Sequence, residues 1–153
     1  MTKVIGQING KNLKIAIVVA QFNELVTAKL TSGAVETLIR CNVLNDNITI
    51  ITVPGAMEIS RIAKIASESK KFDGIIALGA VVKGETSHYD YVCSESASGV
   101  ASVSLNGPIP VMFGILTTDT MDQALNRAGG KIGNKGSECA MGVLEMISIE
   151  QQI

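Results

Sequence analysis

The feature that most constrains the fold is the stretch Gly74–Val92, which reads GIIALGAVVKGETSHYDYV. Its first part, Gly74–Val82, is almost entirely apolar, and a short apolar run bounded by glycine is typical of a strand buried on both faces of a parallel sheet. Gly84 ends the run, and Thr86 and Ser87 are residue types that commonly precede the first turn of a helix. The stretch therefore predicts a strand, a loop and a helix in succession.

The start of this predicted helix is a candidate anion site that carries the only histidine of the chain, His88. Free backbone N–H groups and the positive end of the helix dipole favour a phosphate there, and histidine titrates near neutral pH. The spacing from Gly79 to Gly84 resembles a nucleotide P-loop, but Glu85 occupies the lysine position and would repel phosphates, so we reject an NTPase. A structural role for His88, as a helix cap or a surface residue, remains open beside a catalytic one.

The rest of the chain alternates between apolar runs typical of strands and apolar stripes with helical spacing. Such alternation predicts an α/β fold with a parallel sheet, here of four strands, and right-handed crossovers between strands. The other strands are predicted at Lys14–Ala20, Ile48–Val53 and Val111–Leu116. The helices are predicted at about Val26–Arg40, Ile59–Ala66, Thr120–Ala128 and Ser137–Glu150, with a capping box at Thr120 and Gln123. The helix that starts near His88 is predicted to turn its apolar side inward, with Tyr91, Val92, Ala97, Val100 and Ala101.

Length and composition predict one domain, residues 1–153, that assembles with copies of itself. Charged residues make up only 18% of the chain and apolar residues 46%. A small domain has a large surface for its volume, so this composition leaves apolar area that association of subunits would bury. The short apolar segment Val4–Gly6 is predicted to be a small edge strand that pairs outside its own domain.

Charge and cysteine content favour a cytoplasmic protein without nucleic-acid or membrane partners. The net charge of −1 provides no basic surface for nucleic acid, and no apolar run approaches the roughly 20 residues that cross a bilayer. The N-terminal sequence lacks the apolar segment of a signal peptide. Cys41, Cys93 and Cys139 are odd in number and scattered, which favours a reducing compartment and predicts neither a disulfide framework nor a metal site.

In open parallel sheets, ligands bind outside the carboxyl ends of the strands. The predicted strand-end loops hold Phe22, Glu58, the Val81–His88 segment and Phe113, so an aromatic ring, a carboxylate, a phosphate-type loop and a histidine should lie at one edge. Each has a simpler explanation, because Phe rings usually pack in cores and an acid in a first helical turn is stabilised by the dipole. Arg127 also has two interpretations: it offsets the dipole at the end of a helix, or it binds a phosphate.

Several types of catalytic site are excluded by spacing. His88 and Cys93 are five positions apart, which places them about 140° apart around a helix, so they do not form a nucleophile pair. There is no GxSxG motif of a serine hydrolase, and a single histidine does not supply a zinc site.

Five segments of the chain together resemble the lumazine synthase family. The similarity covers nearly the whole chain in order, and its most specific part is the Gly84–Val92 segment with its Thr, His and Tyr-Val. The segments are Phe22-Asn23, VPGAME at Val53–Glu58, GAVVKGETSHYDYV at Gly79–Val92, FGILTT at Phe113–Thr118 and NRAGGKIGNKG at Asn126–Gly136.

The resemblance implies a flavodoxin-like three-layer sandwich and a transferase of riboflavin biosynthesis. Members condense 5-amino-6-(D-ribitylamino)uracil with 3,4-dihydroxy-2-butanone 4-phosphate, release phosphate and water, and require no cofactor or metal. They form homopentamers with sites between adjacent subunits, and many close into an icosahedral shell. The absence of an insertion between the last two helices resembles the shell-forming members.

The resemblance also implies a role for each matching residue. His88 would transfer protons, Phe22 would stack on the pyrimidine, and Phe113 would join it from a neighbouring subunit. The phosphate would be held by Glu85, Thr86 and Arg127. The ribityl chain and the pyrimidine ring would contact Ala56, Met57, Glu58, Ala80, Val81, Val82 and Lys135.

Three positions depart from the common pattern of the family, namely Met57, Lys83 and Glu85. Glu85 is compatible with phosphate binding only if its backbone N–H faces the phosphate and its carboxylate points away. Two other functions remain as alternatives. The first is a relative that binds a flavin or lumazine, or builds a shell, without turnover; such a protein would not need the proton-transfer and phosphate-binding groups. The second is a general phosphate-ester enzyme, which would need a nucleophile or a metal.

Overall fold

The computed structural model describes residues 1–153, which form an alternating series of strands and helices. A short 3-10 turn, Asn45–Asn47, precedes the second strand. The strands are β1 (Ile15–Ala20), β2 (Ile48–Val53), β3 (Gly74–Val82), β4 (Val111–Thr118), β5 (Ala128–Gly130) and β6 (Gly133–Asn134). The helices are α1 (Glu24–Arg40), α2 (Ala56–Glu68), α3 (His88–Asn106), α4 (Met121–Asn126) and α5 (Lys135–Glu150).

The four long strands form one parallel sheet in the order β2-β1-β3-β4. This is the strand order of the flavodoxin-like doubly wound fold, in which the chain moves from β1 to β2 and then reverses direction across the sheet to β3 and β4. β1 lies in the interior, where Ile17 pairs with Ile50 of β2 and with Ile76 of β3. Because β1 and β3 are covered on both faces, their sequences are continuously apolar. The predicted four-stranded parallel sheet is confirmed.

Two hydrophobic cores lie on opposite faces of this sheet, which gives three layers. On one face, α1 and α5 pack through side chains such as Leu30, Leu38 and Leu144. On the other face, α2 and α3 contribute Ile59 and Val100. The predicted three-layer α/β sandwich is therefore confirmed, and none of its helices has the length and hydrophobicity needed to cross a membrane.

The prediction for the inward side of α3 is partly wrong. Val92 and Val100 are buried as predicted, but Tyr91, Ala97 and Ala101 are exposed. Ser96 completes the buried stripe, at the position four residues from each valine. Alanine and serine alternate along this helix and differ little in hydrophobicity, so the periodicity did not identify which side packs against the sheet.

Two boundaries near the end of the chain also differ from the predictions, and one segment stays a prediction. Val4–Gly6 forms no strand within the chain, and its pairing outside the chain stays a prediction; this N-terminal segment runs along α5, and Gln152 Nε2 donates to the Ile5 carbonyl oxygen at 3.0 Å. α4 ends at Asn126, earlier than predicted, because Ala128–Gly130 and Gly133–Asn134 pair as a small antiparallel hairpin. α5 begins at Lys135 rather than near Ser137.

Candidate active site

A pocket of about 540 Å³ opens at the carboxyl ends of β1, β2 and β3, where the fold predicts a ligand site. Its volume lies within the range of small-molecule sites, roughly 300–1,000 Å³. The residues that line it come from three loops and the first turns of two helices. They are Phe22, Pro54, Gly55, Ala56, Met57, Glu58, Ala80, Val81, Val82, Gly84, Thr86, His88, Tyr89 and Val92.

The loop between β1 and α1 places Phe22 at the mouth of the pocket, where 71% of the residue is exposed. Backbone hydrogen bonds join this loop to the end of β2: Gln21 N donates to Val53 O at 2.7 Å and Phe22 N to Pro54 O at 3.2 Å. On the other side, Asn23 Nδ2 donates to the Ala80 carbonyl oxygen of β3 at 2.7 Å. The loop is thus attached to both neighbouring strands.

The first turn of α2 forms a second wall. Gly55 precedes the helix with an extended backbone, and Glu58 N donates to its carbonyl oxygen at 3.2 Å. The N–H groups of Ala56 and Met57, the first two residues of the helix, have no partner within the helix and are available to a ligand. The positive end of the helix dipole stabilises the Glu58 carboxylate at this position.

The loop after β3 and the first turn of α3 form the third wall. His88 is the first residue of α3 and is exposed. Its backbone N–H donates to Thr86 Oγ1 at 3.4 Å, whereas the side chain of Ser87, the residue before the helix, makes no capping hydrogen bond. Val92 lies one turn beyond His88 on the same side of the helix and adds an apolar contact surface.

Tyr89 also lines this wall, and it makes contacts beyond the pocket. Burial raises the pKa of Tyr89 above its ordinary value, and neighbouring Cys93 and Asp119 add to the increase, while a hydrogen bond with Thr117 opposes it. The tyrosine is therefore a neutral phenol at physiological pH, and its neighbours Cys93, Asp119 and Thr117 do not line the pocket.

A second, smaller pocket of about 320 Å³ contains two cations of the chain, Arg127 and Lys135. Lys135 Nζ lies 3.2 Å from Glu138 Oε2, and Lys135 N donates to Arg127 O at 2.8 Å. Two positive charges and one negative charge leave this surface with a net positive charge, which suits an anion. The pocket is also lined by Ile115, Leu116, Thr117 and Ile132.

Asn134 fixes the loop that carries these two cations. Its Oδ1 accepts hydrogen bonds from Gly136 N at 2.8 Å and Ser137 N at 3.2 Å, so it caps the N-terminus of α5. Its Nδ2 donates to the Lys29 carbonyl oxygen of α1 at 3.0 Å. Gly136 allows this close approach, because a Cβ there would strike the Leu30 carbonyl oxygen.

The structure brings most of the residues predicted for the site into one pocket, namely Phe22, Ala56, Met57, Glu58, Ala80, Val81, Val82, Thr86 and His88. The roles assigned to them remain predictions. Glu85 is exposed and does not line the pocket, and its predicted contact with phosphate stays a prediction. Arg127 and Lys135 lie together in the second pocket instead.

The prediction that Phe113 lies in a strand-end loop is wrong. Phe113 is the third residue of β4 and pairs with Ala77 in the middle of β3, far along the strand from the carboxyl edge. Phe113 does not line the pocket of its own subunit. Its proposed contribution therefore requires the pocket of a different subunit.

Tyr89 and Asn23 received no role in the site from the sequence, and Val92 was predicted only as a residue on the apolar side of α3. Helical spacing was a usable signal for Val92, because residues four apart on a helix share a face with His88. The sequence gives no such signal for Asn23, because its hydrogen bond joins positions 57 residues apart. No group of three or more His, Cys, Asp or Glu side chains is arranged to hold a metal ion.

The fold and the pocket together define an α/β protein with a pocket of small-molecule size at the carboxyl ends of its strands. The family model for 6,7-dimethyl-8-ribityllumazine synthase matches residues 12–151. The chain is 60% identical over 153 residues to the 6,7-dimethyl-8-ribityllumazine synthase of Pediococcus pentosaceus and 55% identical to that of Levilactobacillus brevis. Both alignments span 100% of this chain and 98% of the relative. The chain belongs to the lumazine synthase family.

Proposed function

We propose that this chain is a working 6,7-dimethyl-8-ribityllumazine synthase, a transferase of riboflavin biosynthesis. It would condense 5-amino-6-(D-ribitylamino)uracil with 3,4-dihydroxy-2-butanone 4-phosphate, with release of phosphate and water. The observation that carries the proposal is that His88 and Thr86 line the same pocket as Phe22 and Glu58. A proton-transfer group, an anion-binding loop, an aromatic ring and a carboxylate are the groups that this condensation requires.

The pyrimidine substrate would bind between Phe22 and the apolar wall Ala80–Val82. The ring of Phe22 is exposed at the mouth and offers a face for stacking on the heterocycle. The unpaired N–H groups of the first turn of α2 and the Glu58 carboxylate would bind the ribityl hydroxyls. Ala56 and Met57 contribute backbone groups and contact area at this wall, so the unusual Met57 would not disturb polar recognition.

The phosphate substrate would bind at the start of α3. The Thr86 hydroxyl and the backbone N–H groups after Gly84, including that of Glu85, would hold the phosphate, and the helix dipole adds to the attraction. His88 lies within this first turn and would move protons during imine formation, phosphate elimination and ring closure. No step in this scheme needs a metal or a cofactor.

A homo-oligomer, proposed to be a pentamer, would complete the site. Arg127, Lys135 and Phe113 lie outside the pocket that holds His88, so a neighbouring subunit would supply them. Apolar side chains on the surface support such an assembly: Leu105 is 84% exposed, and Tyr91 and Ile65 are also exposed. The N-terminal segment Val4–Gly6 is unpaired and is available to a neighbouring sheet.

We also propose that the pentamers close into an icosahedral shell and that the protein is cytoplasmic. The short β5–β6 hairpin between α4 and α5 supports shell formation, as expected for members without an insertion. Three free cysteines fit the reducing cytoplasm. Sedimentation velocity distinguishes a pentamer from a closed shell.

Turnover with both substrates tests the proposed function. Purified protein is mixed with the ribityl pyrimidine and the butanone phosphate, and lumazine fluorescence and released phosphate are followed together. The expected result is a parallel increase of both products, proportional to protein and above the uncatalysed rate. Binding of the pyrimidine with neither product above background would instead favour a binding or shell protein without turnover.

A further inference from the structure

We propose that Asn23 is a positioning residue that holds the Phe22 ring over the substrate pocket. The inference rests on the proposed function, because it takes the pyrimidine as the partner of that ring. It assigns to Asn23 a task that neither the helix nor the hydrophobic core requires. The task is to fix the backbone of the loop between β1 and α1.

The backbone of Asn23 has an unusual conformation. Its φ of 63° and ψ of 47° lie in the left-handed region, where most side chains are strained and asparagine is among the few that are tolerated. Asn23 directly precedes α1, yet residues in this position normally have an extended backbone and cap the helix with their side chain. The side chain of Asn23 makes no capping hydrogen bond. Helix capping therefore does not explain the residue.

The side chain of Asn23 is used across the sheet instead. Its Nδ2 donates to the Ala80 carbonyl oxygen at 2.7 Å, and Ala80 is a buried residue of the pocket wall. On the other side of Phe22, its own backbone N–H donates to Pro54 O at 3.2 Å. Phe22 is thus held between the ends of β2 and β3 by one hydrogen bond on each side.

This attachment matters because the Phe22 ring has little packing of its own. With 71% of the residue exposed, few neighbouring atoms restrict where the ring lies. The backbone direction at position 22 then decides whether the ring faces the pocket. A left-handed residue immediately afterwards turns the chain sharply into α1 and fixes that direction.

Two substitutions test the side-chain amide of Asn23 separately from its left-handed backbone. Asn23→Gly keeps access to the left-handed backbone but removes the amide. Asn23→Asp also tolerates that backbone but places an oxygen against the Ala80 carbonyl oxygen. For both variants we expect KM for the ribityl pyrimidine to rise about three- to ten-fold. The value of kcat, and KM for the butanone phosphate, should change less.

Asn42→Gly is the matched control. Asn42 also has a left-handed backbone, with φ of 74°, but it follows α1 and does not line the pocket. Its substitution should leave both KM values unchanged. Melting temperatures of all variants identify any that lose stability, and Asn23→Asp serves as the test if Asn23→Gly does not fold.

A double-mutant cycle shows whether Asn23 acts through Phe22. If it does, Asn23→Gly adds little to the pyrimidine KM once Phe22→Ala is present. Additive effects would overturn the inference and indicate a direct substrate contact by Asn23, and unchanged KM values in Asn23→Gly and Asn23→Asp would overturn it as well.

The dissociation constant of the ribityl pyrimidine separates this inference from the proposed function. If the wild type binds the pyrimidine without turnover, the proposed catalysis fails, and the same variants compared by dissociation constant still decide the role of Asn23. A wild type that neither binds nor turns over the pyrimidine would overturn both.

Discussion

Cys139 makes the stability of the fold dependent on alkaline pH. The residue lies on α5 within the core beneath α1, and only 2% of it is exposed. Burial disfavours the thiolate and raises the pKa of the thiol from 9.0 to about 11. The neighbouring charges act in opposite directions, because Lys135 lowers the pKa and Glu138 raises it.

The sign of the effect follows from the difference between folded and unfolded protein. Below pH 9 the thiol is protonated in both states, and its contribution to stability is fully present. Above pH 9 the unfolded chain loses the proton while the folded chain keeps it, so stability falls until the folded group titrates near pH 11. The slope is about 1.4 kcal/mol per pH unit, which gives a loss of about 1.3 kcal/mol between pH 8 and pH 10.

Urea unfolding at pH 8 and pH 10, in reductant and at one protein concentration, measures this contribution. Cys139→Ala should be less stable than the wild type at pH 8 by on the order of 1 kcal/mol, because it leaves a small cavity. At pH 10 this difference should disappear or reverse, since the variant lacks the titrating thiol.

Cys41→Ala is the control for removal of a cysteine, because Cys41 is only partly buried. Other groups also titrate in this range, so the decisive quantity is the difference between wild type and Cys139→Ala. If the two proteins lose the same free energy of unfolding from pH 8 to pH 10, burial does not keep the proton on Cys139, and the reasoning is refuted.

Three further substitutions test the site and the core. His88→Ala should lower kcat by about 100-fold or more, with a smaller change in KM, and an unchanged kcat in steady-state assays would remove the proton-transfer role. Arg127→Ala should raise KM for the butanone phosphate about tenfold or more. Lys131→Ala is the control, because Lys131 lies in the same loop but outside the second pocket, and it should leave this KM unchanged. Equal effects of the two substitutions would contradict a specific phosphate contact by Arg127. Leu144→Ala, at a position that is 0% exposed, should cost about 2–5 kcal/mol of unfolding free energy. The control is Leu44→Ala at an exposed position, and a cost below that of the control would contradict the core assignment.

The sheet was predictable because its two interior strands carry an unambiguous signal. β3 was predicted with the bounds Gly74–Val82, which are confirmed, and β1 was predicted at Lys14–Ala20 and begins one residue later, at Ile15. Burial on both faces selects continuous β-branched and apolar sequence in these strands, and proline or glycine marks where such a run ends. The edge strand β2 was also predicted with its observed bounds, Ile48–Val53. The strand order then brings the loops after β1, β2 and β3 to one edge.

The parts that were not predicted depend on contacts between distant segments. The β5–β6 hairpin contains three glycines and no apolar alternation, so a local pattern does not reveal it. The separation of Arg127 and Lys135 from His88 follows from the course of α4 and α5 over the opposite face from α3. Phe113 was assigned to a strand-end loop although it lies inside the predicted strand Val111–Leu116, and the structure extends that strand to Thr118.

The position of β2 at the rim of the sheet has a consequence for how the protein must be made in the cell. One side of β2 pairs with β1, while the other side presents unpaired backbone groups beside the exposed side chain of Ile50. Such an edge is a template for indiscriminate pairing with other extended chains. In the proposed oligomer, a neighbouring subunit that covered this edge would remove the template, and fast assembly would then protect a newly synthesised subunit from aggregation.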